Sequence, residues 1–195
     1  YMQDTNPGGD AIRLFGPKDT VIEDCYFRSP GRAVHCAGPV GSTYGTVIRR
    51  IQGDGGAVNA IFCNGGERVT DVDLIQDDPS LSGERSSHGF YIHSGADDVT
   101  IDGMRITNAR KYAGQTYGED VGTFTDRCTL RNIEVKNCKN GLIVSSSQVS
   151  AARPRDLLIE NCSFENIYDS SGAIVMHTVE RGLLRNITVK GVPRR

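Results

Sequence analysis

One short phrase recurs about seven times along this chain of 195 residues, and it constrains the fold more than any other feature. An apolar–x–apolar run meets a bend residue, usually Asn or Asp, and a second apolar stretch follows. The phrase reads VIEDCYF from Val21, VIRRIQG from Val47, VTDVDLI from Val69 and VTIDGMRI from Val99. It returns as TLRNIEV from Thr129, LIENCSF from Leu158 and LLRNITV from Leu183. The bend residues are Asp24, Arg50, Asp71, Gly103, Asn132, Asn161 and Asn186, at spacings of 26, 21, 32, 29, 29 and 25. Self-similarity at a period of roughly 20–50 residues marks a solenoid, a propeller or an array.

The unit is built of strands. Val, Ile, Thr and Phe dominate the phrases with a period of two, and no stretch shows the i, i+3, i+4, i+7 apolar pattern of a helix. A second strand type, usually led by Gly, precedes most phrases: DAIRLFG, GRAVHCAG, AIFCNGG, HGFYIHSG, NGLIVSSS and SGAIVMHT. Each repeat then holds three short strands: the Gly-led one, the VTI-type run, and a third after the bend. Asn and Asp suit the bend because they tolerate left-handed backbone and bond to nearby main chain. Three strands per turn and one turn per repeat predict an all-β, single-stranded parallel β-helix of about seven coils. A propeller blade needs four strands and a longer repeat.

The spacing also predicts two internal columns. One runs Ile22, Ile48, Val69, Ile101, Leu130, Ile159, Leu184, and the other Cys25, Ile51, Val72, Met104, Ile133, Cys162, Ile187. Stacking them in register makes each repeat depend on its neighbours. Residues 1–195 read as one domain, and neither end reads as a cap, so a piece of a longer protein is expected. A net charge of −2 without a basic run argues against nucleic acid as a partner. The absence of a run of 18 apolar residues argues against a membrane span. Of the six cysteines, Cys25 and Cys162 fall far apart in one column, Cys128 falls on an inward position, and Cys36 and Cys63 occupy matching places in adjacent strands. Reduced thiols in the core are expected, as suits production in a cytoplasm. No Cys-x-x-Cys or His-x-x-x-His pair occurs, so neither a metal nor a cofactor is expected.

The Gly-led strand, the VTI-type strand and the Asn bend, followed from about Gly9 to Val192, resemble the right-handed parallel β-helix of the pectate-lyase-like superfamily. That superfamily includes pectate lyases, polygalacturonases, alginate-modifying enzymes and bacteriophage tailspikes. Coil wording such as GGDAIRLFG and SSHGFYIHSGADDVTIDG looks more like tailspike polysaccharide depolymerases than plant-type pectinases. The resemblance implies a polysaccharide ligand, a homotrimer and an extracellular or virion-surface location. It implies that the Gly-led strands form the floor of a groove and the neighbouring loops its walls. Likeness of fold alone does not settle the chemistry.

Alternation shows which floor residues face outward. They are Arg13, Phe15, His35, Phe62, Asn64, Tyr91, His93 and Ser145, with His177 in an ambiguous register. The longest connections, QDDPSLSGERSS before His88 and NARKYAGQTYGED up to Asp120, flank the coil of Tyr91 and His93. Long loops on a rigid scaffold commonly carry binding. These bring in Asp77, Asp78, Glu84, Arg85, Arg110, Lys111, Tyr117, Glu119 and Asp120. Three chemistries stay open. A glycoside hydrolase needs two carboxylic acids, here from Asp77, Asp78, Glu119 and Asp120. The set Asp77–Asp78, His88–Gly89 and Arg110–Lys111 resembles that of polygalacturonases in part. It departs from it at Ser87, in the adjacency of Arg and Lys, and in lacking an Asn-Thr-Asp. A lyase needs a base, His93 or Tyr91, and a group to neutralise a uronate carboxylate, such as Arg110, Lys111 or Asn64. A non-catalytic receptor-binding or structural coil needs only exposed rings for sugars: Phe15, Phe62 and Tyr91. The expected substrate contacts are His35, Phe62, Asn64, His88, Arg110, Lys111 and Tyr117.

Overall fold

The computed structural model describes residues 2–3, 9–28, 31–39, 41–54, 59–76, 88–93, 95–118, 125–146, 154–169, 172–177 and 179–191. In chain order the strands are β1 (Met2–Gln3), β2 (Asp10–Phe15), β3 (Val21–Arg28), β4 (Arg32–Ala37), β5 (Val47–Asp54), β6 (Asn59–Cys63), β7 (Arg68–Ile75) and β8 (His88–Ile92). There follow β9 (Thr100–Thr107), β10 (Tyr112–Gly118), β11 (Thr129–Arg131), β12 (Glu134–Lys136), β13 (Asn140–Ser146), β14 (Leu158–Glu165), β15 (Ile174–Met176) and β16 (Leu183–Lys190). The protein is all-β, and its strands form two parallel sheets. The six Gly-led segments and β10 lie side by side as a seven-stranded sheet, β2-β4-β6-β8-β10-β13-β15, and the recurring phrases with β1 form a nine-stranded one. The expectation of a long wall loop over NARKYAGQTYGED is corrected: Tyr112–Gly118 is a floor strand paired with β8 and β13, because the segment continues the parallel register of the sheet. The chain alternates between the two sheets and visits each once per repeat.

The second and third strands expected in each repeat are one strand with a kink in six of the seven phrases; in the repeat around Asn132 they remain two, β11 and β12. β3, β5, β7, β9, β14 and β16 each run for eight residues through the bend. The bend residues are all left-handed, with φ between +53° and +73°. One such residue turns the chain and drops out of the pairing; the register resumes at the next position, as from Glu23↔Arg49 to Cys25↔Ile51. Two further corners use the same conformation. Asp19, Gly45, Gly66, Asp98, Arg127, Asp156 and Arg181 precede the phrases, and Asn108, Asn137, Asn166 and Gly191 follow the later ones.

Arginine at a left-handed corner costs roughly 1 kcal/mol or more. Here each such side chain grips both oxygens of the aspartate one repeat earlier. Arg50 donates to Asp24 at 2.6 and 2.8 Å, Arg127 to Asp98 at 2.7 and 2.8 Å, and Arg181 to Asp156 at 2.6 and 2.9 Å. Asparagines stack similarly: Asn186 Nδ2 donates to Asn161 Oδ1 at 2.9 Å, and Asn166 Nδ2 to Asn137 Oδ1 at 3.0 Å.

Both columns align, and they are internal through the middle coils; at the ends Leu184 is 41% exposed and Cys25 and Ile187 are half-buried. Ile22, Ile48, Val69, Ile101, Leu130, Ile159 and Leu184 pair in succession across the nine-stranded sheet. So do Cys25, Ile51, Val72 and Met104, and Cys162 with Ile187. Side chains of both sheets, among them Phe27, Ile61, Phe90, Ile101 and Phe164, merge into one core.

All six cysteines are free; Cys25 is half-buried and the other five are buried. Burial pushes the Cys36 and Cys128 thiols up to about 12 and the Cys138 thiol up to about 11. A thiol is reactive as its thiolate. An aromatic disulfide reagent at neutral pH is therefore expected to titrate at most Cys25 quickly in the native protein, and six thiols in denaturant. Fewer than six in denaturant would contradict the reduced core.

Candidate functional site

Parallel strands in register place equivalent residues roughly 4.8 Å apart. On the seven-stranded sheet this lines up Arg13, His35, Phe62, Tyr91 and Gln115. The rings touch: His35 meets Phe62 edge-on with centroids 4.7 Å apart, and Phe62 stacks on Tyr91 at 5.0 Å and 13°. His93 leans on Phe62 at 5.6 Å. A second row pairs His88 with Tyr112, stacked at 5.8 Å, and His88 also lies 6.0 Å from Tyr91. The Arg32 guanidinium sits 5.6 Å from the centre of the Phe62 ring. The result is a continuous belt of rings across β4, β6, β8 and β10.

A break in the alternation brings His88 beside Tyr91. A Cβ on Gly89 would lie 2.7 Å from the Ala113 carbonyl oxygen and against the Ile106 side chain, so position 89 faces the core. Phe90 faces it too, fully buried. Two successive inward positions turn both His88 and Tyr91 to the same side. The register carries small residues along this inner row: Ala33, Ala60, Gly89, Ala113 and Gly141.

At one end of the belt Asp10 gathers three partners. His35 Nδ1 lies 2.8 Å from Asp10 Oδ2, Arg32 Nη1 3.0 Å from Oδ1, and Arg13 Nε 3.5 Å from Oδ2. Burial pushes the Asp10 carboxyl up, but the hydrogen bonds from His35 and Arg32 outweigh it, and its pKa ends below the ordinary value. Burial is the largest influence on His35 and holds its imidazolium below the usual histidine range, against the opposite pull of Asp10.

The expected site residues divide. Phe62, Tyr91 and His93 are half-buried on the belt, whereas His35 and His88 are buried within it. Asn64 is corrected: it is 3% exposed, and its Nδ2 donates to the carbonyls of Gly38 at 2.9 Å and Pro39 at 3.2 Å. It closes a loop and is not an open floor residue. β6 ends at Cys63, so strand alternation no longer governs position 64. Arg110 is half-buried, near enough to Tyr168 for its charge to act there. Lys111 is exposed just before β10, and its carbonyl accepts from Asn140 Nδ2. Tyr117 pairs with Ser145 in the register between β10 and β13. Phe15 is 72% exposed, with the Arg13 guanidinium 4.7 Å from its ring centre. His177 is exposed after β15. Asp77, Asp78, Glu84, Arg85, Glu119 and Asp120 lie outside the described residues. Asp10, Arg32 and Tyr112 belong to the belt and were missed by alternation, because only the strand register brings them to it.

A recess of about 730 Å³ lies on the nine-stranded sheet, along the bend lined by Asp24, Arg50, Asp71, Gly103 and Asn132. Asp24 is tied to Arg50, Asp73 to Arg105 at 2.7 Å, and Glu134 to Lys136 at 2.6 Å. Among the described residues its one aromatic lining residue is Tyr26, whose hydroxyl donates to Asp54. The ring belt therefore has the richer chemistry for a ligand. Among the described residues no group of three or more His, Cys, Asp or Glu is placed to hold a metal ion, and no helix is long and apolar enough to cross a membrane. Compared with family models, with curated proteins and with solved structures, the chain gives no match.

Proposed function

We propose that the chain is a right-handed parallel β-helix of about seven coils that binds a polysaccharide across its seven-stranded sheet and cleaves it, as a tailspike-like depolymerase at an extracellular or virion surface. The visit to each of two parallel sheets once per repeat and the recurring left-handed corners support the coil. The single observation that carries the function is the belt His35–Phe62–Tyr91. It sets ring faces and imidazoles in register along one line crossing the strands, the direction in which an extended sugar chain would meet one coil after another. Phe62 and Tyr91, stacked on each other, offer apolar ring edges to sugars, and the histidines of the belt supply proton transfer. Arg110 and Lys111, just before β10, would meet acidic groups of the glycan in this reading.

The test is to incubate the protein with a panel of bacterial capsular and uronate polysaccharides. Absorbance of an unsaturated uronate identifies a lyase, and new reducing ends without that absorbance identify a hydrolase. Binding without product leaves a receptor-binding face. Absence of binding across a broad panel would contradict the reading. Tyr91→Ala is expected to weaken binding of the selected glycan about tenfold or more, since a central aromatic commonly contributes over 1 kcal/mol. Wild-type affinity in that variant would remove Tyr91 from the site.

A further inference from the structure

The geometry points to the Asp10–His35 pair as the proton-transfer unit of the belt, acting on an acidic glycan; this rests on the polysaccharide reading above. The Asp10 carboxylate, with its side chain 7% exposed, faces His35 Nδ1 at 2.8 Å. A carboxylate accepts only, so Nδ1 carries the proton and donates. Nε2 is left with its lone pair on a side chain that is 11% exposed, and the ring that bears it packs edge-on against Phe62. An imidazole oriented by a buried carboxylate is the arrangement general-base catalysis needs.

The charges around the pair identify the substrate class. Arg13 and Asp10 stand on β2, Arg32 and His35 on β4, and Phe62 faces them from β6. Two guanidinium groups meet one carboxylate, so the surroundings of a neutral His35 carry a net positive charge in a chain whose net charge is −2. Arg13 pairs with His35 in the register, is half exposed and holds Asp10 at 3.5 Å only. It is the cation beside His35 that can meet the carboxylate of the reacting uronate, and neutralising that carboxylate makes the adjacent C5 proton removable. In the step, His35 Nε2 takes the C5 proton and the C5–H electron pair becomes the C4=C5 double bond. The C4–O bond breaks, the departing oxygen takes a proton from solvent, and His35 returns its proton to solvent. His35 is the catalytic residue, and Asp10 positions it.

The experiment uses polygalacturonate and alginate as probes, with binding and unsaturated-uronate absorbance read separately. Wild type is expected to bind one of them and yield the absorbing product. His35→Ala and His35→Gln are each expected to lower turnover by about 10²–10⁴-fold while binding stays within about threefold. Asp10→Asn removes the anion that raises the His35 pKa, so the acid limb of the pH–rate profile should move to lower pH as turnover falls. Arg105→Ala, on the other sheet, should leave turnover unchanged. Turnover that survives both His35 variants, or is lost in His93→Ala and not in them, overturns the assignment and leaves the glycan reading standing. An unmoved pH profile in Asp10→Asn removes Asp10 from its positioning role. Binding without product overturns the pair as a proton-transfer unit, and failure to bind either polyuronate overturns the acidic-substrate assignment even where another glycan binds.

Discussion

Ile159→Asp should destabilise the protein by about 4 kcal/mol or more, a large part of the roughly 5–15 kcal/mol that holds a domain together. Ile159 is fully buried on β14, in register between Leu130 on β11 and Leu184 on β16. Removing the isoleucine forfeits roughly 2–3 kcal/mol of apolar burial. The aspartate that replaces it must either remain ionised without a cation in the interior or take up a proton at a cost. A column is least forgiving at such a position, because each member packs on its neighbours in the adjoining repeats. Chemical denaturation followed by far-ultraviolet circular dichroism measures the effect. An unchanged midpoint would contradict the register.

Gly141→Ala is expected to cost about 2 kcal/mol, the scale of overpacking a dense interior. A Cβ at this position would overlap the Ala173 carbonyl oxygen, lie 2.8 Å from the Ala173 carbonyl carbon and 2.9 Å from Phe164 Cδ1. Two of these contacts are backbone, so relief requires β13 and the segment leading into β15 to part. That segment is held by the bond from Leu142 N to Ala173 O at 2.8 Å. A fall in melting temperature of several degrees is the expected reading. Full stability in Gly141→Ala would mean that β13 and β15 pack less closely than described.

Much of the scaffold was legible because it repeats. Apolar residues at a constant offset from the bend placed Ile101, Leu130 and Ile159 in one column and Cys162 in another without knowledge of any contact. The bend was legible at Asn132, Asn161 and Asn186, whose side chains favour left-handed backbone. The corner before the phrase was not legible at Arg127 and Arg181, because these arginines do not advertise that conformation. They hold it where a bidentate aspartate lies one repeat away. The merging of two expected strands into one has the same origin, since a one-residue bend interrupts a strand too briefly to end it.

The ring belt was partly legible. Period-two alternation put Phe62, Tyr91 and His93 on one face, and they meet there. It misplaced Asn64, one residue past the end of β6, where the period had stopped. It was silent on Asp10 and Arg32, because their meeting with His35 depends on the offset between β2 and β4, a distance in register that a single strand does not encode. The row Ala33, Ala60, Gly89, Ala113 and Gly141 is likewise invisible as a motif and becomes a feature only when the strands are aligned.

The most direct test of the central claim is to map, by two-dimensional NMR of isotope-labelled protein, which side chains a bound oligosaccharide perturbs. The oligosaccharide is prepared from the glycan that the panel selects. The account predicts that the largest shifts fall on His35, Phe62, Tyr91 and His93, and that they are lost in the Tyr91→Ala, His93→Ala double variant. Shifts centred on Asp24, Arg50, Asp71 and Asn132, in the recess of the nine-stranded sheet, would contradict it.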